Sequence, residues 1–251
     1  MLRRRVIPCL DVRGGRLVKG VRFQELRDCG DPVEAAAAYA RNGADEIVWL
    51  NISAGEESWR ALLDAVSRAA EQVDVPLTVG GGVRSPAQAR DLLLAGADKV
   101  STNTAALDRP ELVDELAERF GRQCVVVAVD AHRDGDGGWK ARAVAGSRDT
   151  GRDALQWMDE ATSRGAGELL LTSIDSDGTG AGYDLELIER TCRSVDVPVV
   201  ASGGAGGPGH MVQALLAGAE AALAASIFHD RRFEVSDVKR EAAAAGLPVR
   251  L

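Results

Sequence analysis

The sequence predicts an α/β fold: a closed (β/α)8 barrel assembled from two repeated half-barrels. Three observations carry this reading. Eight apolar runs of strand length alternate with eight longer segments of helical period along the 251 residues. The runs Val125-Val126-Val127-Ala128-Val129 and Leu169-Leu170-Leu171 are apolar without alternation, as parallel strands covered on both faces are. The chain also repeats itself at offsets of 119 to 122 residues: Leu10-Asp11 parallels Val129-Asp130, Gly43-Ala44 parallels Gly165-Ala166, Gly80-Gly81-Gly82 parallels Ser202-Gly203-Gly204, and Gly96-Ala97 parallels Gly218-Ala219. Eight βα units in two matching halves favour a barrel over an open doubly wound sheet, the competing architecture. One domain is expected over residues 1–251, with repeats of about 1–122 and 123–251.

Taken in order, strands are expected at about 5–11, 45–52, 75–79, 97–102, 123–130, 167–174, 197–202 and 221–226. Helices are expected between them at about 32–42, 57–73, 86–95, 110–120, 152–164, 185–195, 209–217 and 235–246. Asp31-Pro32-Val33-Glu34 places an acid at the N-cap, proline at the first helical position and glutamate at the third. Ser85-Pro86 and Asp108 before Pro110 repeat that start signal. The second helical segment, 57–73, sets Trp59, Leu62, Leu63, Val66, Ala69, Ala70 and Val73 on one stripe. Val12 to Gly30 reads as a long loop, with Lys19 as its candidate substrate-facing residue.

Composition narrows the function classes. Thirty basic and 38 acidic residues leave a net charge of −8, which argues against a broad nucleic-acid surface. No apolar run approaches the ~18 residues of a membrane span, and the apolar stretch after Arg3-Arg4-Arg5 ends at Asp11, too soon for a signal peptide, so a cytoplasmic location is expected. Cys9, Cys29, Cys124 and Cys192 show no C-x-x-C spacing, and His132, His210 and His229 lie far apart, so neither a metal site nor a cofactor is expected.

The chemistry of such a barrel sits at the C-terminal ends of its strands. Asp11 ends the first strand and Asp130 the fifth, on opposite sides of the ring, where two carboxylates suit general acid–base work on a substrate between them. Glycines follow the third and seventh strands, and hydroxyl-bearing residues follow the fourth and eighth, Ser101-Thr102-Asn103-Thr104 and Ala225-Ser226. Glycine lets backbone N–H groups approach an anion closely, so the two matched pairs point to two phosphate sites across the mouth. At the opposite ends of the strands, Arg5, Glu46, Lys99 and Glu168 either close the floor as a neutral ring or face solvent as ordinary strand-start residues.

These stretches resemble the cyclase subunit family of imidazole glycerol phosphate synthase, from histidine biosynthesis, essentially from end to end. The resemblance is carried by Val6-Ile7-Pro8-Cys9-Leu10-Asp11-Val12, Val18-Lys19-Gly20, Thr78-Val79-Gly80-Gly81-Gly82, Gly96-Ala97-Asp98-Lys99-Val100-Ser101, Asn103-Thr104-Ala105-Ala106, Leu171-Thr172-Ser173-Ile174-Asp175-Ser176-Asp177-Gly178-Thr179, Ala201-Ser202-Gly203-Gly204-Ala205-Gly206 and Ala224-Ala225-Ser226-Ile227-Phe228-His229. It implies a bisphosphate substrate, an aminoimidazole carboxamide ribonucleotide with a phosphoribulosyl-formimino arm. Ammonia adds to the ribulosyl ketone, and ring closure with cleavage yields imidazole glycerol phosphate and aminoimidazole carboxamide ribotide. The resemblance makes Asp11 and Asp130 the acid–base pair and Lys19 part of a substrate loop. It assigns Gly82, Asn103 and Thr104 to one phosphate, and Asp177, Gly178, Gly204, Ala225 and Ser226 to the other. It further implies a glutaminase partner docked at the barrel floor in a heterodimer, with Arg5, Glu46, Lys99 and Glu168 as the gate through which ammonia enters. The sibling isomerase of the same pathway shares the half-barrel repeat and the aspartate pair, but its pattern differs at Lys19-Gly20, Asn103-Thr104-Ala105-Ala106 and Leu171-Thr172-Ser173-Ile174-Asp175.

One departure stands out. Where Asn51 ends the second strand, the family usually has aspartate, and Ser53-Ala54-Gly55 replaces a Thr-Ala-Ser stretch. Placed at the catalytic mouth, an amide keeps the shape of the carboxylate but carries no charge and adds donors. The change is either tolerated in a working cyclase or the mark of a paralogue with another substrate or lowered activity. A non-catalytic barrel that only activates the glutaminase is the alternative from outside enzymology.

Overall fold

The computed structural model describes residues 3–21, 24–53 and 55–251. Its strands are β1 (Arg5–Arg13), β2 (Arg16–Val21), β3 (Gln24–Gly30), β4 (Ile47–Asn51), β5 (Leu77–Gly80), β6 (Lys99–Thr102), β7 (Val125–Arg133), β8 (Trp139–Ala143), β9 (Arg148–Asp153), β10 (Glu168–Ser173), β11 (Val199–Ser202) and β12 (Ala221–Ala224). Its helices are α1 (Pro32–Arg41), α2 (Glu56–Ala70), α3 (Pro86–Leu94), α4 (Thr104–Asp108), α5 (Glu111–Phe120), α6 (Ala154–Ser163), α7 (Leu185–Ser194), α8 (Pro208–Leu216), α9 (Ser226–His229) and α10 (Val235–Ala244). Eight strands pair in parallel in the order β1-β4-β5-β6-β7-β10-β11-β12, and β12 pairs back onto β1, so the sheet closes into a barrel with a helix after each strand. All eight expected strands and all eight expected long helices are present.

Alternation along each strand divides the core in two. Val6, Leu10, Ile47, Trp49, Val127, Val129, Leu169 and Leu171 point outward and pack with the helices. Ile7, Cys9, Val48, Leu50, Val126, Ala128, Leu170, Val200 and Leu223 point inward and fill the barrel axis. The helix starts follow the sequence: Asp31 and Ser85 accept the N–H groups of Val33 and Gln88, each ahead of a proline. Asp108 differs. It closes α4 instead of capping α5, because Asn103 and Thr104 already start a short helix there, and its carboxylate pairs with Arg148.

The segment from Val12 to Gly30 is not an open loop. β1 runs on to Arg13, turns through Gly14 and Gly15 at φ +57° and +76°, and returns as β2, which pairs with β3. Two consecutive glycines in the left-handed region make the two-residue turn whose twist suits a hairpin. A second hairpin, β8–β9, extends β7 in the same way.

Contacts recur at the offset seen in the sequence. Ile52 N–H donates to the Val12 carbonyl and Ile174 N–H to the Ala131 carbonyl, both at 2.9 Å. Asp98 accepts from Leu77 N–H at 2.8 Å, and Glu220 accepts from Val199 N–H at 2.9 Å. Among the described residues, no helix is long and apolar enough to cross a membrane.

Candidate active site

Asp11 and Asp130 continue the inward faces of β1 and β7, in line with Ile7 and Cys9 on one strand and Val126 and Ala128 on the other. Each therefore stands at the top of the apolar axis, at the C-terminal end of its strand. Burial in that environment, and then the nearby charge of Asp177, pushes both carboxyls up to about 7. Asn103 opposes this at Asp130: its Nδ2 donates to Oδ2 at 2.9 Å and favours the ionised form. A carboxyl that titrates near neutrality both takes and gives protons readily, as general acid–base work requires.

Asp177 is the residue whose role the sequence understated. It lies just beyond β10 and acts on Asp11 and Asp130 together, so the mouth holds three carboxylates within electrostatic reach. Its backbone N–H donates to the Ser173 carbonyl at 3.0 Å, which folds the loop inward, and Gly178 follows in the left-handed region at φ +73°.

The residues expected to hold phosphates fall in two groups. Gly82, at φ +89°, precedes α3 and has open space where a Cβ would stand. Asn103 and Thr104 start α4, but neither side chain is idle: Asn103 reaches Asp130, and Thr104 Oγ1 accepts the Val144 N–H at 2.8 Å from the tip of the β8–β9 hairpin. A hydroxyl that accepts from a backbone N–H directs its own proton elsewhere, so Thr104 is left as a donor. Thr102 turns outward and donates to the Val83 carbonyl at 3.1 Å. On the other side Gly204, at φ +108°, precedes α8, with Gly182 N–H donating to its carbonyl at 2.8 Å, while Ala225 and Ser226 start α9. Lys19 lies on β2, but its side chain is outside the described residues.

Asn51 does not face the mouth. It shares the outward face of β4 with Ile47 and Trp49, is 8 % exposed, and accepts the Ser53 N–H through Oδ1 at 3.2 Å. Gly81 crosses it so tightly that a Cβ there would lie 1.9 Å from the Asn51 carbonyl oxygen. The expectation of an amide at the catalytic mouth is corrected by strand parity: Leu50, one residue earlier, is the inward side chain.

At the opposite end of the barrel, four charges alternate around a closed ring. Arg5 pairs with Glu46 at 2.5 Å and with Glu168; Lys99 pairs with Glu46 at 3.0 Å and with Glu168 at 2.7 Å. Thr78 also donates to Glu46 at 2.6 Å. Burial works against the Arg5 charge, but Glu168 and Glu46 more than offset it and its pKa is raised. The ring floors the inward apolar column that ends at Asp11 and Asp130.

A family profile described as histidine biosynthesis protein matches residues 5–234. The chain is 56% identical over 250 residues to imidazole glycerol phosphate synthase subunit HisF of Gluconacetobacter diazotrophicus, covering 100% of this chain and 97% of that one. It is 54% identical over 252 residues to the protein of the same name from Mycobacteroides abscessus, with 98% of each chain covered. The counterpart from Corynebacterium diphtheriae is 52% identical over 252 residues, again with 98% of each chain covered.

Proposed function

The chain belongs to the histidine biosynthesis protein family, and on that premise we propose that it works as the cyclase subunit of an imidazole glycerol phosphate synthase, a lyase. Ammonia and the bisphosphate formimino ribonucleotide react in the mouth to give imidazole glycerol phosphate and aminoimidazole carboxamide ribotide. Identity of 52% or more to curated HisF subunits along nearly the whole chain does not favour the isomerase, paralogue or non-catalytic readings.

The observation that carries the mechanism is the pair of carboxyls near pH 7 on opposite strands of one mouth. Asp11 takes the side of ammonia addition and ring closure, and Asp130 works from the opposite face. The two exchange roles as acid and base between steps, and as neighbours of a shared third charge they titrate as a coupled set. Gly82, Asn103 and Thr104 hold one phosphate. Asp177, Gly178, Gly204, Ala225 and Ser226 surround the other, and Lys19 belongs to the substrate loop. Their matched places in the two halves support an origin by duplication of a half-barrel within one domain.

Ammonia at neutral pH is mostly ammonium, so the free base has to be delivered. A glutaminase subunit docked against the ring of Arg5, Glu46, Lys99 and Glu168 supplies it, and the apolar column of Ile7, Val48, Val126, Leu170 and Val200 leads it to the aspartates.

Steady-state turnover of the bisphosphate substrate at about pH 8.5, with excess ammonium salt and no partner, tests the reading, because alkaline pH raises the fraction of free base. Formation of imidazole glycerol phosphate supports it. Tight substrate binding without turnover overturns it.

A further inference from the structure

Two residues beyond Asp130 on β7 stands His132. It shares the inward parity of Asp130, roughly 7 Å further along the strand at 3.3 Å per residue. Its Nδ1 meets Asp175 Oδ1 at 2.9 Å, and the second oxygen of Asp175 accepts the Arg133 N–H at 2.8 Å. Asp175 is thus pinned to β7 through one oxygen and holds the imidazole with the other, the arrangement that fixes a ring's orientation and leaves Nε2 as its working atom. No hydrogen bond to Nε2 is formed among the described residues, and the side chain is 39% exposed.

The neighbouring cations on this face are already committed. Lys140, opposite His132 on β8, leans to Asp134 at 3.7 Å, and Arg142, opposite Asp130, pairs with Asp149 at 3.4 Å. Asp149 and Asp175 are the carboxylates that sense or touch His132 from β9 and from the loop after β10.

The other half of the barrel lacks this device. There Gly14 N–H donates to Ser53 Oγ at 2.8 Å, in the place where Arg133 N–H donates to Asp175. A hydroxyl has no second oxygen with which to hold a further side chain. The eight strands of the mouth come in matched halves, yet the substrate of the proposed reaction has two unlike ends. Something must tell those ends apart.

We propose that His132, oriented by Asp175, is a substrate-contacting residue whose Nε2 hydrogen-bonds a polar oxygen of the bound bisphosphate on the β7 side and sets which end of the substrate lies there. Asp175 is the positioning residue. This rests on the cyclase reading and adds a recognition contact to it.

Steady-state kinetics on the full chain, with ammonium salt and the bisphosphate formimino substrate, test it. His132→Ala raises KM by about tenfold, the scale of one lost hydrogen bond to a charged group, with kcat within about twofold. His132→Gln, whose amide nitrogen reaches where Nε2 stands, restores most of the KM, and Asp175→Asn gives a smaller rise than His132→Ala. Thermal midpoints separate recognition from folding: the midpoint of His132→Ala stays unchanged. An unchanged KM for His132→Ala overturns the proposal, as does a loss confined to kcat or one that tracks a fall in midpoint. Absence of turnover by the unsubstituted chain overturns the cyclase reading itself, and the proposal with it.

Discussion

Asn103 donates its amide N–H to Asp130 at 2.9 Å, so a residue proposed to hold a phosphate is fastened directly to a proposed acid–base group. The bond favours the ionised carboxylate, while burial and Asp177 favour the neutral acid. Asn103→Ala removes the only one of these influences that lowers the carboxyl pKa. The acid limb of the kcat–pH profile is expected to move up by roughly one unit, the scale of a hydrogen bond to a charged group. A limb that stays in place would separate Asn103 from the titration of the pair.

Asp177→Asn acts in the reverse direction. It removes a like charge from both Asp11 and Asp130, so both carboxyls fall from about 7 and the acid limb moves down. Desolvation, the larger cause at both positions, remains, so the fall is partial. Chemical shifts of the two carboxyl carbons, followed through a titration, report it without any substrate.

The aspartates also reduce stability at working pH. Their pKa values are raised in the folded chain, so the native state holds protons that the unfolded state has released, and stability declines as pH rises from about 4 to about 7. Taken alone, a shift from 3.8 to about 7 corresponds to on the order of 4 kcal/mol above pH 7 and about half of that at pH 5.5. Asp130→Asn is therefore expected to lose turnover yet melt higher than the unsubstituted protein at pH 8.5, with the gap narrowing toward pH 5.5. Melting curves at the two pH values check this, and a variant that melts lower at pH 8.5 contradicts it.

The floor ring is expected to respond asymmetrically to loss of its members. Glu46 is 2% exposed and serves Arg5, Lys99 and Thr78 together. Glu46→Ala leaves two cations to share Glu168, at a cost of roughly 3–5 kcal/mol, or on the order of 10 °C in melting midpoint for a chain of this size. Glu46→Gln, which still accepts from Thr78, loses less. Differential scanning calorimetry orders the two, and midpoints of both variants equal to that of the unsubstituted protein would show that the ring adds nothing to stability.

The barrel was legible because its signals are periodic and local: unbroken apolar strands, a 3.6-residue stripe such as Leu62, Val66 and Ala69, and proline after Asp31 or Ser85. The hairpins are less legible, although Trp139-Lys140-Ala141-Arg142-Ala143 alternates apolar and charged residues strictly, with the odd positions buried. Glycine and charge around Gly14 and Lys19 read as loop because a two-residue turn differs from a loop only in its φ angles. The placement of Asp11 and Asp130 followed from strand ends. The joint influence of Asp177 on both did not, since it exists only once the ring closes and brings three distant stretches to one rim. Asn51 faces outward because strand parity sets it with Trp49, two residues earlier and fully buried among helices, a constraint its residue type does not carry.

That orientation makes Asn51→Asp a mild change. The amide's bond to Ser53 N–H is accepted through Oδ1, and a carboxylate oxygen accepts it equally well. The side chain points toward the helices, and Gly81, the first residue of the third βα loop, is pressed on the Asn51 carbonyl. Both kcat and KM with ammonium salt are expected to stay within about twofold of the unsubstituted protein, because the nearby hydrogen bond is kept. The added charge instead appears in stability: a carboxylate with one backbone donor at a site 8% exposed is under-solvated, which lowers the melting midpoint at pH 8.5 more than at pH 5.5. A tenfold gain in kcat on introducing the carboxylate would place position 51 in the chemistry after all and make the amide the cause of a weakened enzyme.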